Sequence, residues 1–298
     1  MHTEQFSYHR AESVEHAVEL LETSDDARIL AGGQGLIPLM KKRELTPDAL
    51  VDITQIDELR GIERTDDTIR IGGLSTHREI ADSALLKETA PVVPRTVAHI
   101  TGGQQVHNVA TIGGNIARAH PGYDYEGALL STGSQIVVSG PAGKQRVPVS
   151  EFVRGPCSTT LAETQLVTSI EIPVLSGDRR GGYAKKKEPA SGNAIVGVAT
   201  DLLFDDDQST LVESARIAVN GLQGCAVRLD ATENKLEGKQ LTPDRLEAAA
   251  GDASSSLDSS AVLDNKKASA EYRLCSLEPQ VQKSIRQAVG ERTLYSQT

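Results

Sequence analysis

Two glycine-rich bends constrain this chain of 298 residues more than any other feature. The first, Ala31-Gly32-Gly33-Gln34-Gly35-Leu36, follows the short apolar run Arg28-Ile29-Leu30-Ala31 and precedes Pro38, which suits the first turn of a helix reaching about Arg43. The segment therefore reads as strand, loop, helix. That arrangement aims backbone N–H groups and a helix N-terminus at one point, and glycines let a ligand approach where a Cβ would block it. Taken alone, it reads equally as a tight turn or as a phosphate cradle.

The second bend is Thr111-Ile112-Gly113-Gly114-Asn115, with Asp124 nine residues beyond it. Gly113 and Gly114 are expected to expose consecutive N–H groups. Thr111 and Asn115 offer hydrogen bonds to phosphate or sugar oxygens, and Asp124 can accept from a ribose hydroxyl. Two such loops in one domain point to a ligand with two phosphates held between them. A nicotinamide-binding fingerprint is the obvious rival, since Asp52 ends a strand about 20 residues after the first bend. However, Pro38 occupies the place of the third glycine, which should permit close helix–strand packing. Asp52 is accordingly expected to be structural.

The rest of the pattern describes a mixed α+β chain. Val14, Ala17, Val18 and Leu21 recur at helical spacing after Ser13, a good N-cap. Strands are expected at 50–53, 68–71, 135–138, 146–149 and 166–172, a capping box at Thr76–Glu79 and a helix over 125–130. Residues 102–115 read as loop. The run PVLSGDRRGG (173–182) is the clearest break in composition, and a domain boundary is placed there. Strands follow at 194–204 and 215–220, then a helix opened by Thr242 and Pro243, a Ser/Asp-rich loop over 251–260, and helix from about 265 onward.

Composition removes several classes of function. A net charge of −10 argues against wrapping nucleic acid. Any diphosphate would have to be held mainly by backbone amides and helix ends. Cys157, Cys225 and Cys275 stand apart with no C-x-x-C, and the seven histidines show no ligand spacing, so no metal site is expected. No Trp is present, which disfavours a base-stacking platform. With no apolar run of membrane-span length and no leader-like apolar core, the cytoplasm is the expected compartment.

AGGQGLIPLMKKRELTPDALVDI (31–53), paired with QVHNVATIGGNIARAHPGYDYEGALLSTGSQIVV (105–138), resembles the FAD-binding medium subunit of the carbon monoxide dehydrogenase and xanthine dehydrogenase family. LVTSIEIP (166–173), Tyr183-Ala184-Lys185, residues 194–199 and Tyr272-Arg273 extend the resemblance over essentially the whole chain. It implies a vanillyl-alcohol-oxidase-like (PCMH-type) FAD domain of two α/β subdomains over 1–177. A C-terminal three-stranded antiparallel sheet with helices would occupy 178–298.

By the same resemblance, Ile29, Leu30, Ala31, Gly32, Gly33, Gln34, Gly35 and Leu36 would line the FAD diphosphate on one side. Thr111, Ile112, Gly113, Gly114 and Asn115 would line it on the other. Thr101 would lie near the flavin, Asp124 near the adenosine ribose, Val167 at the adenine end, and Lys185 beside the isoalloxazine, where a cation favours anionic reduced flavin. The chain would contribute no catalytic residue of its own. Its expected partners are a [2Fe–2S] small subunit and a molybdopterin large subunit, in a heterotrimer that itself dimerises. Electrons would pass from molybdenum through the clusters to FAD and then to NAD, a quinone or oxygen.

The chain departs from the family at Gly35, where serine is usual, and at His107 and Ala110, where arginine and glycine are common. After Lys185 it carries Glu188, Pro189, Ser191 and Gly192 in place of basic residues and a Gly-Asp pair. These changes keep open a scaffold that has lost FAD, alongside a self-contained flavin oxidase of the same superfold.

Overall fold

The structure, a computed structural model, describes residues 2–290. A small parallel sheet comes first. Strands β1 (Ser7–Arg10), β2 (Ala27–Leu30) and β3 (Ala49–Asp52) lie in the order β1-β3-β2. Parallel neighbours need crossovers, supplied by α1 (Val14–Thr23) and α2 (Leu36–Lys42). Ser13 caps α1 by accepting from the His16 N–H, and Val14, Ala17, Val18 and Leu21 bury its apolar stripe. The carboxylate of Asp52 accepts from the Tyr8 hydroxyl and, at 2.8 Å, from the Thr54 N–H. Asp52 thus closes the end of β3 and is a structural residue.

The second unit is an antiparallel sheet of β4 (Ile62–Arg64), β5 (Thr68–Gly72), β6 (Gln135–Gly140), β7 (Gly143–Pro148) and β10 (Leu166–Pro173), in the order β4-β5-β10-β6-β7. A hairpin of β8 (Val153–Gly155) and β9 (Ser158–Thr159) stands beside it. Its helices are α3 (His77–Asp82), α4 (Ala84–Thr89), α5 (Val92–Val97), α6 (Gly103–His107), α7 (Ile112–Arg118), α8 (Tyr125–Ser131) and α9 (Val149–Phe152). Ile69, Ile71, Ile136 and Ile170 pack with Val93, Ile112, Ile116 and Leu129 in one core. The Thr76–Glu79 capping box forms in full at the start of α3. The stretch 102–115, expected as loop, instead contains α6 and the first turn of α7. Its four glycines (Gly102, Gly103, Gly113 and Gly114) obscured these two short helices.

The C-terminal sheet is built on the long antiparallel strands β11 (Asp178–Lys187), β12 (Ala194–Phe204) and β13 (Leu211–Asn220). Two further two-residue strands, β14 (Val227–Arg228) and β15 (Lys239–Gln240), pair with β13, so the sheet has five strands and not three. Helices α10 (Asp230–Leu236), α11 (Pro243–Gly251) and α12 (Ala270–Val289) bury against it. Helix was expected from about 265 onward; α12 begins only at Ala270 and ends at Val289, and the part of that expectation over 291–298 lies outside the described residues.

The break at 173–182 is shorter than its composition suggests, since β10 runs to Pro173 and β11 opens at Asp178. Arg179, 3% exposed, locks this joint. Its guanidinium is paired with the buried Asp201 carboxylate at 2.7 Å, and it also donates to the carbonyls of Thr89 and Pro173. No helix among the described residues is long and apolar enough to cross a membrane.

Candidate functional site

Between the parallel sheet and the α6–α7 region lies a cleft of about 780 Å³, within the range of sites for small molecules and cofactors. Ile29 and the whole first bend from Ala31 to Leu36 line it on one side. Thr111, Gly113, Gly114 and Asn115 line it on the other, with Thr101, Asp124 and Val167 on its walls. Three residues expected at the site do not line it. Leu30 is held in β2, where its carbonyl accepts from the Ile53 N–H; Ile112 is fully buried in the core; Lys185 lies behind the wall.

The first bend needs its glycines for two separate reasons. Gly33 has φ +68°, in the left-handed region that side chains resist. Gly32 abuts the other side of the cleft: a Cβ there would lie 2.0 Å from the Val109 carbonyl oxygen and 2.8 Å from the Ala110 Cα. The first bend therefore closes through bare backbone on Val109 and Ala110, the segment that leads into the second bend. Just beyond, the Leu36 N–H at the start of α2 has no acceptor among the described residues, and Leu36 lines the cleft; the Ile37 N–H donates to the Gly33 carbonyl at 2.9 Å, and Pro38 has no N–H.

The second bend does not work as expected. Its amides are spent inside the protein. The Ile112 N–H donates to the Ser75 carbonyl (3.0 Å), that of Gly113 to Gly73 (2.9 Å), and that of Asn115 to Thr111 (3.0 Å). The Gly114 N–H takes the Thr111 Oγ1, 3.3 Å away, as a helix cap. Gly113 is glycine because a Cβ would lie 2.7 Å from the Gly73 carbonyl oxygen, so its role is to seat α7 on that strand end. What this side offers a ligand is the open surface of Gly114 and the Asn115 side chain, which bonds to no described residue.

Asp124 and Lys185 also require correction. Lys185 Nζ, on a side chain 2% exposed, sits 2.7 Å from Asp124 Oδ2 and donates to the His99 carbonyl. Asp124 Oδ1 accepts from the Tyr183 hydroxyl at 2.5 Å. Burial pushes the Asp124 carboxyl up, while the Lys185 ammonium and the Tyr183 hydroxyl pull it back. Lys185 is thus the counter-ion of a buried carboxylate, not a free cation facing a ring. Both Asp124 oxygens already hold internal partners at the cleft edge.

These features coincide with a family relationship. Residues 4–175 match the family described as the FAD binding domain in molybdopterin dehydrogenase, and residues 182–288 match the CO dehydrogenase flavoprotein C-terminal domain. The chain is 33% identical over 258 residues to the glyceraldehyde dehydrogenase medium chain of Sulfolobus acidocaldarius, covering 87% of this chain and 90% of that one. It is 33% identical over 246 residues to the carbon monoxide dehydrogenase medium chain of Hydrogenophaga pseudoflava, covering 82% and 84%. A solved structure of carbon monoxide dehydrogenase from Hydrogenophaga pseudoflava superposes with a TM-score of 0.88 at 30% identity, over 97% of this chain and 98% of that chain. The chain belongs to the FAD-binding medium subunits of the carbon monoxide and xanthine dehydrogenase family.

Its cofactor is accordingly FAD, and it is an oxidoreductase subunit. The residues present fit that group. A Cβ-free cradle, the unbonded Leu36 N–H, the Asn115 side chain, and an apolar wall of Ile53, Leu161, Leu166 and Val167 suit a long ligand with a charged middle and flat ends.

Two cleft residues lacked any role in the sequence reading. His77, at the start of α3, is buried with the Tyr125 hydroxyl 3.2 Å from its Nδ1. Burial, with a smaller push from His107, takes its imidazole down to about 4, so it is neutral at neutral pH. Arg118 is the last residue of α7 and lines the cleft. A signal for it existed: Thr111, Gly114 or Asn115, and Arg118 fall on one face at helical spacing. Reading 102–115 as loop hid that face.

Proposed function

We propose that this chain holds an extended FAD in the cleft between residues 29–36 and 111–115 and serves as the electron-transfer subunit of a molybdenum hydroxylase complex. Its partners are a small subunit with [2Fe–2S] clusters and a large subunit with molybdopterin, in a heterotrimer that dimerises. Residues 1–177 form the flavin-binding domain and residues 178–298 the sheet-and-helix domain that backs it. Three relatives support the multi-subunit reading by being named medium chains or subunits of glyceraldehyde dehydrogenase, carbon monoxide dehydrogenase and nicotine 6-hydroxylase. The single observation that carries the proposal is the closure of Gly32 onto Val109–Ala110 at the head of a cleft of about 780 Å³.

In this role FAD supplies the redox chemistry, taking electrons from the partner's clusters and releasing them to NAD, a quinone or oxygen. The protein's own tasks are binding and positioning. The backbone of the first bend and the Leu36 N–H offer donors to the diphosphate, Val167 and its apolar neighbours pack the adenine end, and Thr101 stands at the flavin end. The Asp124–Lys185–Tyr183 network holds the wall behind the ribose in a fixed shape. The test is to purify the chain with its partner subunits, extract the cofactor with acid and identify it by chromatography. About one FAD per chain is expected, with its absorption bleached by substrate only when the cluster subunit is present. A complex with intact clusters that releases no FAD on acid extraction would sink the reading.

A further inference from the structure

The chain as a whole is acidic, with net charge −10, so an anionic ligand must find its positive charge locally. Few groups on the cleft wall can supply it. Arg28 is engaged by Asp26 at 2.7 Å, Glu44 lies near Lys42, and Asp124 is neutralised by Lys185. His77 is buried against Tyr125. Arg118 remains: its guanidinium makes no hydrogen bond or ion pair with any described residue, although its side chain lines the cleft.

Its setting is specific. The second bend has spent its amides on Gly73, Ser75 and Thr111, so the α7 side of the cleft is short of donors. The first bend carries Gly35, which offers no hydroxyl. The Cγ and Cδ of Arg118 lie 3.9 Å from the point a Cβ on Gly35 would occupy. The aliphatic stem of Arg118 therefore crosses from the end of α7 to the mouth of the first bend, through space that the bare Gly35 leaves open. A planar guanidinium with five donors on such a stem suits phosphate oxygens.

We infer that Arg118 is the cationic clamp on the cofactor's diphosphate, replacing from the α7 side the donors that Gly35 and the second bend do not provide. The inference rests on the FAD reading of the cleft and adds to it the residue that supplies the charge. Its ligand class is the nucleoside diphosphate portion of a dinucleotide, not the flavin ring.

The experiment uses the purified complex, stripped of flavin and titrated with FAD, ADP and riboflavin by fluorescence at several salt concentrations. In R118A, Kd for FAD and for ADP should rise about ten- to hundredfold, as expected for losing a charged hydrogen-bonding partner. The salt dependence of both should flatten, and riboflavin, which has no diphosphate, should bind as in the wild type. R118K should recover part of the loss, because it restores the charge without the fork. The fold is not at stake, since Arg118 bonds to nothing described, and R118Q with an unchanged thermal melt serves as the check. FAD and ADP affinities of R118A within twofold of wild type, or an equal loss for riboflavin, would overturn the inference while leaving FAD in the cleft. A wild-type complex that takes up no FAD would take down both readings.

Discussion

Gly32→Ala is the sharpest test of how the cleft is built. The added Cβ would lie 2.0 Å from the Val109 oxygen and 2.8 Å from the Val109 carbonyl carbon and the Ala110 Cα. Restoring ordinary contact at 3.4 Å requires the two segments to part by about 1.4 Å. Neither side yields easily. Ile29 and Leu30 are registered against Val51 and Asp52 in the parallel sheet. Ala110 is held at both ends, its N–H donating to the Val106 carbonyl and its carbonyl accepting from the His77 N–H. Overpacking of this kind costs about 1–3 kcal/mol, worth roughly 2–10 °C in Tm for a chain of this size. With FAD seated between the same two segments, as proposed, its Kd should rise about ten- to hundredfold. Thermal melts and flavin titration of the complex read both effects. Gly35→Ala is the control, since its nearest neighbour would be 3.9 Å away and its φ is −90°. If G32A matches G35A in Tm and in FAD affinity, the closure of the bends has no energetic weight and the argument fails.

Other perturbations separate the remaining parts. Gly35→Ser has room for its Cβ and adds a hydroxyl at the head of α2, so flavin titration should show FAD binding about two- to tenfold tighter. Weaker binding would mean that the stem of Arg118 needs the whole gap. Lys185→Met strips the buried Asp124 of its counter-ion and should cost about 3–5 kcal/mol in thermal or denaturant unfolding, mostly regained in K185M/D124N. A K185M melt within 1 °C of wild type would refute that role (~1 °C being well under the shift expected). Glu126 gives a pH signature. Burial pushes its carboxyl from 4.5 up to about 7, against a weaker downward pull from the Ala226 N–H. A proton held more tightly in the folded state lends stability that is complete below about pH 4.5 and lost as pH rises to about 7. Wild type should therefore lose about 2.5 kcal/mol more than E126Q between pH 5 and pH 8. Parallel pH profiles of the two proteins would contradict it.

What the amino-acid order determined by itself was local. The Ser13 cap and the stripe behind it, the Thr76–Glu79 box, Thr242 with Pro243 at the head of α11, and the two glycine bends rest on spacings of a few residues. A hydrogen bond from Ser13 to His16, or a Cβ-free turn after a strand, needs no knowledge of the rest of the path. Pro38 likewise showed that the first bend is no nicotinamide fingerprint, and the bends together carried the resemblance to the flavin family. The tertiary structure decided everything that depends on partners far along the chain. Only the folded path brings Gly73 and Ser75 to the amides of Gly113 and Ile112, or buries Lys185 against Asp124, or leaves the Arg118 guanidinium above Gly35 without a partner among the described residues. Motif residues state which groups are near each other in sequence. Which of their donors and charges remain free for a ligand is settled by what the fold has already bonded, and that is a property of distance in space.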